Sequence, residues 1–66
     1  MNSENEGRLL NGIEVARILN ISKALAYRMM QKGEIRVVRF GKSVRVSESD
    51  LRTFIESHKQ TQKSVL

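Results

Sequence analysis

The 66-residue sequence contains no cysteine, no proline and no tryptophan, and it has only one histidine. Without cysteine the chain can form neither a disulfide nor a thiolate metal site, and one histidine does not make a metal centre. No hydrophobic run reaches the length of a signal peptide or a membrane span. The composition therefore predicts a cytoplasmic protein with no metal or other cofactor, stabilised by packing alone.

The residue combinations that carry catalysis are also missing. The sequence shows no nucleophile–base pair and no glycine-rich loop that could bind a phosphate. A chain of 66 residues forms one domain with a small core and leaves little room for a pocket. We therefore expect no catalytic residues and no enzymatic activity.

Acidic residues are nearly missing from the middle third of the chain. Between Lys23 and Val46 there are seven basic residues and one acidic residue, a net charge of +6, whereas the remainder has five basic and six acidic residues. The seven basic residues are Lys23, Arg28, Lys32, Arg36, Arg39, Lys42 and Arg45. Because a solvated surface more often mixes the two signs, this segregation indicates a surface that binds a polyanion.

Two short helices are predicted in the first half of the chain. Asn11 and Glu14 form a capping-box pattern at the start of the first helix, and Asn20 can take the left-handed conformation that ends it. The second helix runs from the N-cap Ser22 to Gly33. The short turn between them predicts a helix-turn-helix whose second helix recognises DNA. The alternative is an ordinary amphipathic helix whose polar face contacts only water.

Strands and a third helix are predicted after Gly33. Ile35–Phe40 and Val44–Val46 are rich in β-branched residues and flank a short turn at Gly41-Lys42 or Gly41-Lys42-Ser43, which predicts a β-hairpin. Its register stays open, because four valines cannot share one face of a regular hairpin: Val37, Val38, Val44 and Val46. A capping box at Ser47–Asp50 then starts a helix that ends near His58.

Apolar residues at helical spacing predict the core. In the first helix Ile13 and Ala16 face inward together with Leu19 or Val15, and Leu9 and Leu10 precede them. The other inward residues are Ile21, Ala26, Met29, Met30, Leu51, Phe54 and Ile55, and we expect Met29 and Phe54 to be buried. Gly12 is expected only to weaken the first helix.

The predicted order is helix, turn, helix, hairpin and helix, which is a mainly α winged helix-turn-helix with a small β-hairpin. We assign residues 8–58 to this domain, residues 1–7 to a disordered leader and residues 59–66 to a flexible tail. No effector-sensing or long coiled-coil segment is evident in the sequence.

Nine short segments carry a resemblance to a known family: Leu9-Leu10, Glu14-Val15-Ala16, Leu19-Asn20-Ile21-Ser22, Tyr27-Arg28, Gly33-Glu34-Ile35, Arg39-Phe40-Gly41-Lys42, Arg45-Val46, Asp50-Leu51 and Phe54-Ile55. Over residues 9–56 they resemble the excisionase family of small, MerR-like winged helix-turn-helix proteins. The sequence departs from the family pattern at Asn20, where glycine is usual, at Leu25, where threonine or serine is usual, and at Val44, where a large aromatic residue is common.

The resemblance implies binding of double-stranded DNA by the second helix and the hairpin, or wing. It places Ser22, Lys23, Ala24, Tyr27 and Arg28 on the recognition helix and Gly41, Lys42 and Arg45 in the wing. Arg39 and Ser43 lie beside these wing residues and complete the predicted site. Arg28 could contact a guanine, although a phosphate is the more frequent partner of such a residue.

The hypothesis that follows is an excisionase that acts at the nucleoid. It would bind and bend attachment-site DNA, with neighbouring copies of itself beside it, to help an integrase excise a mobile element. The alternatives are a small transcriptional regulator of a phage, plasmid or mobile element, or an adaptor that binds an acidic protein surface.

Overall fold

The computed structural model describes residues 8–60. The predicted leader at 1–7 and residues 61–66 of the predicted tail lie outside the described residues. The elements in chain order are β1 (Leu9–Leu10), α1 (Gly12–Leu19), α2 (Lys23–Gln31), β2 (Val38–Phe40), β3 (Ser43–Ser47) and α3 (Glu48–Ser57). These three helices and the small antiparallel sheet form a winged helix-turn-helix, as the sequence predicted.

The caps of α1 explain where this helix begins and ends. Asn11 Oδ1 accepts a hydrogen bond from the Glu14 backbone N–H at 2.8 Å, and Glu14 Oε1 accepts one from the Asn11 N–H at 2.9 Å. Asn20 ends the helix at φ 60°, in the left-handed region. The Ile21 N–H donates to the Ala16 carbonyl at 3.0 Å. The predicted capping box and left-handed Asn20 are both confirmed.

The second helix also has the predicted ends. Ser22 Oγ accepts a hydrogen bond from the Leu25 N–H at 3.1 Å, which caps the N-terminus of α2. After Gln31 the chain turns at Gly33, which has φ +80°, and the Glu34 N–H donates to the Met29 carbonyl at 3.0 Å. Only residues 20–22 separate α1 from α2, so the two helices form the predicted helix-turn-helix.

The sheet has three antiparallel strands in the order β1-β3-β2, so β3 is central. Phe40 pairs with Ser43 across the two-residue loop Gly41-Lys42, and Gly41 has φ +62°, as this loop type requires. In the other pair, Leu10 lies opposite Val46. The strand β1 was not predicted, because two residues are too few to show an alternating pattern.

The pairing register of β2 with β3 shows which valines face the core. Antiparallel partners share a face and successive residues alternate, so Val44 and Val46 lie on the inner face and Val38 lies on the outer face. Val46 is fully buried, Val37 and Val44 pack against the core, and Val38 is exposed. Strand β2 starts at Val38 and not at Ile35 as predicted, because its pairing with β3 begins at Val38, opposite Arg45. Ile35 is fully buried in the core.

Among residues 8–60, the core contains eight buried apolar residues: Leu10, Val15, Ala16, Ala26, Met30, Ile35, Val46 and Leu51. The prediction for Ile13 was wrong. The buried stripe of α1 runs through Gly12, Val15 and Ala16 at i, i+3 and i+4, so Ile13 is turned about 100° away and is 43% exposed.

Three further core predictions need correction. Leu9 is 40% exposed, because it alternates with the buried Leu10 along β1. Met29 and Phe54 are only partly buried and pack at the edge of the core, because Met30 and Leu51 point to its centre.

Helix α3 packs its Leu51 into the core. Ser47 Oγ accepts a hydrogen bond from the Asp50 N–H at 3.1 Å, which confirms Ser47 as the N-cap. The reciprocal bond from the Ser47 N–H to the Asp50 carboxylate, which a full capping box needs, is not formed among the described residues. The helix ends at Ser57, and His58 follows as its C-cap. Arg8 joins α1 to α3, since its guanidinium lies 3.5 Å from a Glu14 carboxylate oxygen and 3.9 Å from one of Glu48.

Two negative findings concern residues 8–60. Within this range no helix has the length and apolar character needed to cross a membrane. The same residues contain no group of three or more histidine, cysteine, aspartate or glutamate side chains placed to hold a metal ion.

Candidate nucleic-acid interface

One face of α2 packs on the core and leaves the opposite face exposed. Ala26 and Met30 are buried, whereas Ala24 and Arg28 are exposed and lie about 160–200° around the helix from Ala26. Ala24 and Arg28 are four residues apart, so they form one ridge on the outer surface. Lys23 begins the helix at its N-terminal end and is also exposed.

An open groove of about 500 Å³ lies between α2, the N-terminal end of α1 and the hairpin. Five of the ten predicted DNA-binding residues line it: Tyr27, Arg39, Lys42, Ser43 and Arg45. The structure therefore brings the wing residues together with one residue of the recognition helix. It does not place the other five, Ser22, Lys23, Ala24, Arg28 and Gly41, among the residues that line the groove.

Tyr27 holds its place in the groove by packing on Gly12. A Cβ atom built on Gly12 would overlap Cε1 and Cζ of the Tyr27 ring and lie 2.9 Å from its hydroxyl oxygen. Only glycine therefore lets the ring lie against the first turn of α1, and the ring stays 47% exposed beside the groove. The sequence analysis assigned Gly12 only a helix-weakening effect and missed this contact.

The basic side chains of the middle segment are not neutralised by carboxylates. Among residues 8–60, ion pairs join Arg8 to Glu14 and Glu48, and Lys59 to Glu56. None of the seven basic residues between positions 23 and 45 lies within 4.0 Å of a carboxylate oxygen in this range. An anion that enters the groove would therefore meet cations without first displacing an acidic partner.

Arg45 has the best-defined side chain of the wing. Its Nη1 donates a hydrogen bond to the Val44 carbonyl at 2.9 Å, and the residue is partly buried. This bond holds the guanidinium beside the groove, while its remaining N–H groups stay available as donors. Lys42, in contrast, is exposed in the two-residue loop.

Five further residues line the groove that sequence reasoning did not assign to the site. Two of them, Met30 and Val44, are apolar residues of the core and its edge, and the other three are Asn11, Gly12 and Gln31. Gln31 could have been found, since it lies four residues after Tyr27 and therefore on the same side of α2. Asn11 gave no such signal, because its sequence pattern explains it fully as a helix cap, and its side-chain oxygen is indeed bound to the Glu14 N–H.

A comparison with protein families identifies the domain family of this chain. The family model described as a helix-turn-helix domain matches residues 9–59, which include every helix and strand of the structure. Comparisons with curated proteins and with solved structures gave no match. Helix-turn-helix domains bind DNA in a sequence-specific way, with the second helix in the major groove. They are not a catalytic class. The match, the exposed α2 face and the unpaired cations all support DNA binding.

Proposed function

Because the chain belongs to the helix-turn-helix domain family, we propose that this DNA-binding protein is an excisionase, which helps a partner integrase to excise a mobile element. The observation that carries DNA binding is the groove, in which cationic wing residues lie beside the recognition helix and have no ion-pair partner among residues 8–60. The excisionase role is supported by the motif resemblance over residues 9–56.

In this proposal α2 enters the major groove, whose width admits a single α-helix. Arg28 lies on the exposed ridge and contacts a guanine edge or a phosphate, while the small side chain of Ala24 lets the helix approach the bases. Lys23 and Ser22, at the N-terminal end of α2, contact the phosphate backbone.

The wing contacts the DNA next to α2. Arg39, Lys42, Ser43 and Arg45 face phosphates and the adjacent minor groove, and the tight turn at Gly41 places the loop close to the backbone. The ring of Tyr27 packs on Gly12 at the edge of the groove, between α2 and the wing. From this position its hydroxyl group donates a hydrogen bond to a phosphate.

Excision requires more than one such contact. One helix and one wing bury little surface, so neighbouring copies on the DNA or the integrase itself add affinity. Several copies side by side bend the attachment site at a cost of about 1–6 kcal/mol for a 40–90° bend, which the added contacts offset. The protein acts at the nucleoid of the cytoplasm, where this DNA lies.

The decisive test is excision of a marked element by its integrase. Reactions contain the integrase with no added protein, with the wild type, or with Arg28→Ala. The matched control is Arg52→Ala, which removes the same side chain from the exposed surface of α3, outside the groove. We expect excision with the wild type and the control and much less with Arg28→Ala. Equal excision in all reactions, while the protein still shifts DNA, would instead indicate a transcriptional regulator.

A further inference from the structure

The outer face of the hairpin carries an aromatic side chain that the fold does not use. Phe40 is 54% exposed, more than any other large apolar residue among residues 8–60. It neither belongs to the buried core nor packs against it. Single exposed apolar residues are common on protein surfaces. A function for Phe40 therefore has to be argued from its position and its neighbours.

Phe40 stands at the tip of the wing. It forms the last strand pair before the loop, opposite Ser43, and its side chain lies on the outer face, away from Val44 and Val46. Ser43 is too small to cover an aromatic ring. The ring therefore projects beside the two-residue loop and is the most distal apolar group of the hairpin.

Cationic residues lie near this ring in the hairpin. Arg45 shares the outer face two residues beyond Ser43, and Lys42 is in the loop. Arg39 precedes Phe40 in the sequence but lies on the inner face, opposite Val44. Among residues 8–60, no carboxylate oxygen lies within 4.0 Å of any of these three cations. A flat apolar group among unpaired cations matches a ligand that combines anionic groups with flat apolar surfaces, and stacked bases between phosphates have this combination. An apolar protein surface would leave the cations without partners.

We propose that Phe40 is a wedge that inserts between two base pairs from the minor groove and partly unstacks them. Proteins that kink DNA from the minor groove insert Phe, Leu or similar residues in this way. The most suitable ligand is duplex DNA with a pyrimidine–purine step under the wing tip, because these steps unstack most easily. This inference rests on the proposed function and adds to it, since it locates the DNA bend at one base step.

The test uses a short duplex that the wild-type protein selects from a random-sequence pool. A series of such duplexes carries 2-aminopurine at one adenine each, to report unstacking, and fluorescent dyes at the two ends, to report bending. The variants are Phe40→Ala, Phe40→Leu and the control Val38→Ala, which removes apolar surface from the same outer face two strand pairs further from the tip.

We expect the wild type to brighten 2-aminopurine at one step and to bend the duplex. Phe40→Ala should lose both signals and bind roughly tenfold more weakly, because base–aromatic stacking is lost, whereas Phe40→Leu should keep part of each. Val38→Ala should behave as the wild type. All variants should melt as the wild type does, since neither side chain is in the core.

The outcomes separate this inference from the proposed function. If Phe40→Ala binds and bends the duplex and brightens 2-aminopurine as the wild type does, the proposal that Phe40 is a wedge is wrong, whereas the proposal of DNA binding stands. The wedge is also wrong if Val38→Ala loses as much as Phe40→Ala, because the outer face then acts as an extended docking surface. A wild type that selects no duplex overturns both proposals.

Discussion

At the scale of single residues, the contact between Gly12 and Tyr27 links the fold to the proposed DNA-binding surface. Gly12 is buried in the first turn of α1, and the ring of Tyr27 occupies the space that any side chain at this position would need. Tyr27 is half exposed, so its ring can swing into solvent when that space is filled. A change at Gly12 should therefore alter the groove more than the core.

The first prediction follows from this contact. Gly12→Ala should leave the thermal midpoint close to that of the wild type, since alanine is the better helix former by about 1 kcal/mol and offsets the displaced ring. Its affinity for duplex DNA should fall, because Tyr27 no longer lies beside the groove. Fluorescence anisotropy with a selected duplex and a thermal melt measure the two quantities.

A double-mutant cycle with Tyr27→Ala provides the control. If Gly12 acts only by positioning Tyr27, the affinity lost in Gly12→Ala should vanish when Tyr27 is already alanine, so the two effects should not add. Additive losses, or an unchanged affinity of Gly12→Ala, would mean that the ring contact has no role in binding.

At the scale of elements, the sequence predicted the helices better than the strands. The helix ends carry their own chemistry: Asn11, Ser22 and Ser47 each accept a hydrogen bond from a backbone N–H three residues later. Such signals are local and can be found in a single sequence. The strands depend on partners elsewhere in the chain, so β1 was missed and β2 was predicted three residues too early.

The site shows the same division. The predicted wing residues other than Gly41 line the groove because they lie close together in the hairpin, which is a local structure. The packing of Tyr27 on Gly12 joins α2 to α1 and could not be found from spacing alone. Ile13 was placed inward because it lies three residues before Ala16, at helical spacing. The buried stripe instead passes through Gly12, Val15 and Ala16, which turns Ile13 away from the core.

The second prediction concerns the turn between α1 and α2. Asn20 is the only non-glycine residue with positive φ among residues 8–60, at φ 60°. Asn20→Ala should destabilise the protein by about 1–2 kcal/mol, because alanine has no local hydrogen bond to compensate the left-handed conformation. Asn20→Gly, the matched variant, should melt at or above the wild-type midpoint, since glycine adopts this conformation without strain.

Chemical denaturation of the three proteins measures the difference in the free energy of unfolding. An Asn20→Ala protein as stable as the wild type would show that the turn relaxes to another conformation. A loss of stability in Asn20→Gly as large as in Asn20→Ala would show instead that the asparagine side chain is needed for itself.

At the scale of the whole molecule, the charges are separated between two regions. The chain between positions 23 and 46 carries a net charge of +6, while the remainder of the sequence carries one more acidic than basic residue. In the described part, every ion pair lies outside that basic segment, at Arg8 or Lys59. The fold therefore presents its positive charge to a polyanion and uses its acidic residues to join α1 and α3 through Arg8.

The last prediction measures how this positive region contacts DNA. Each phosphate that a cation neutralises releases counterions, so the logarithm of the binding constant falls with the logarithm of salt concentration by about 0.9 per phosphate contact. Lys42→Ala and Arg45→Ala should each reduce this slope by about that amount and weaken binding to specific and random duplexes alike. Arg52→Ala, on α3 outside the groove, should keep the wild-type slope.

Anisotropy titrations over a series of salt concentrations provide the slopes. Unchanged slopes in both wing variants would place the DNA-binding surface outside the hairpin, and an equal reduction in Arg52→Ala would show that net charge alone, and not the groove, sets the salt dependence.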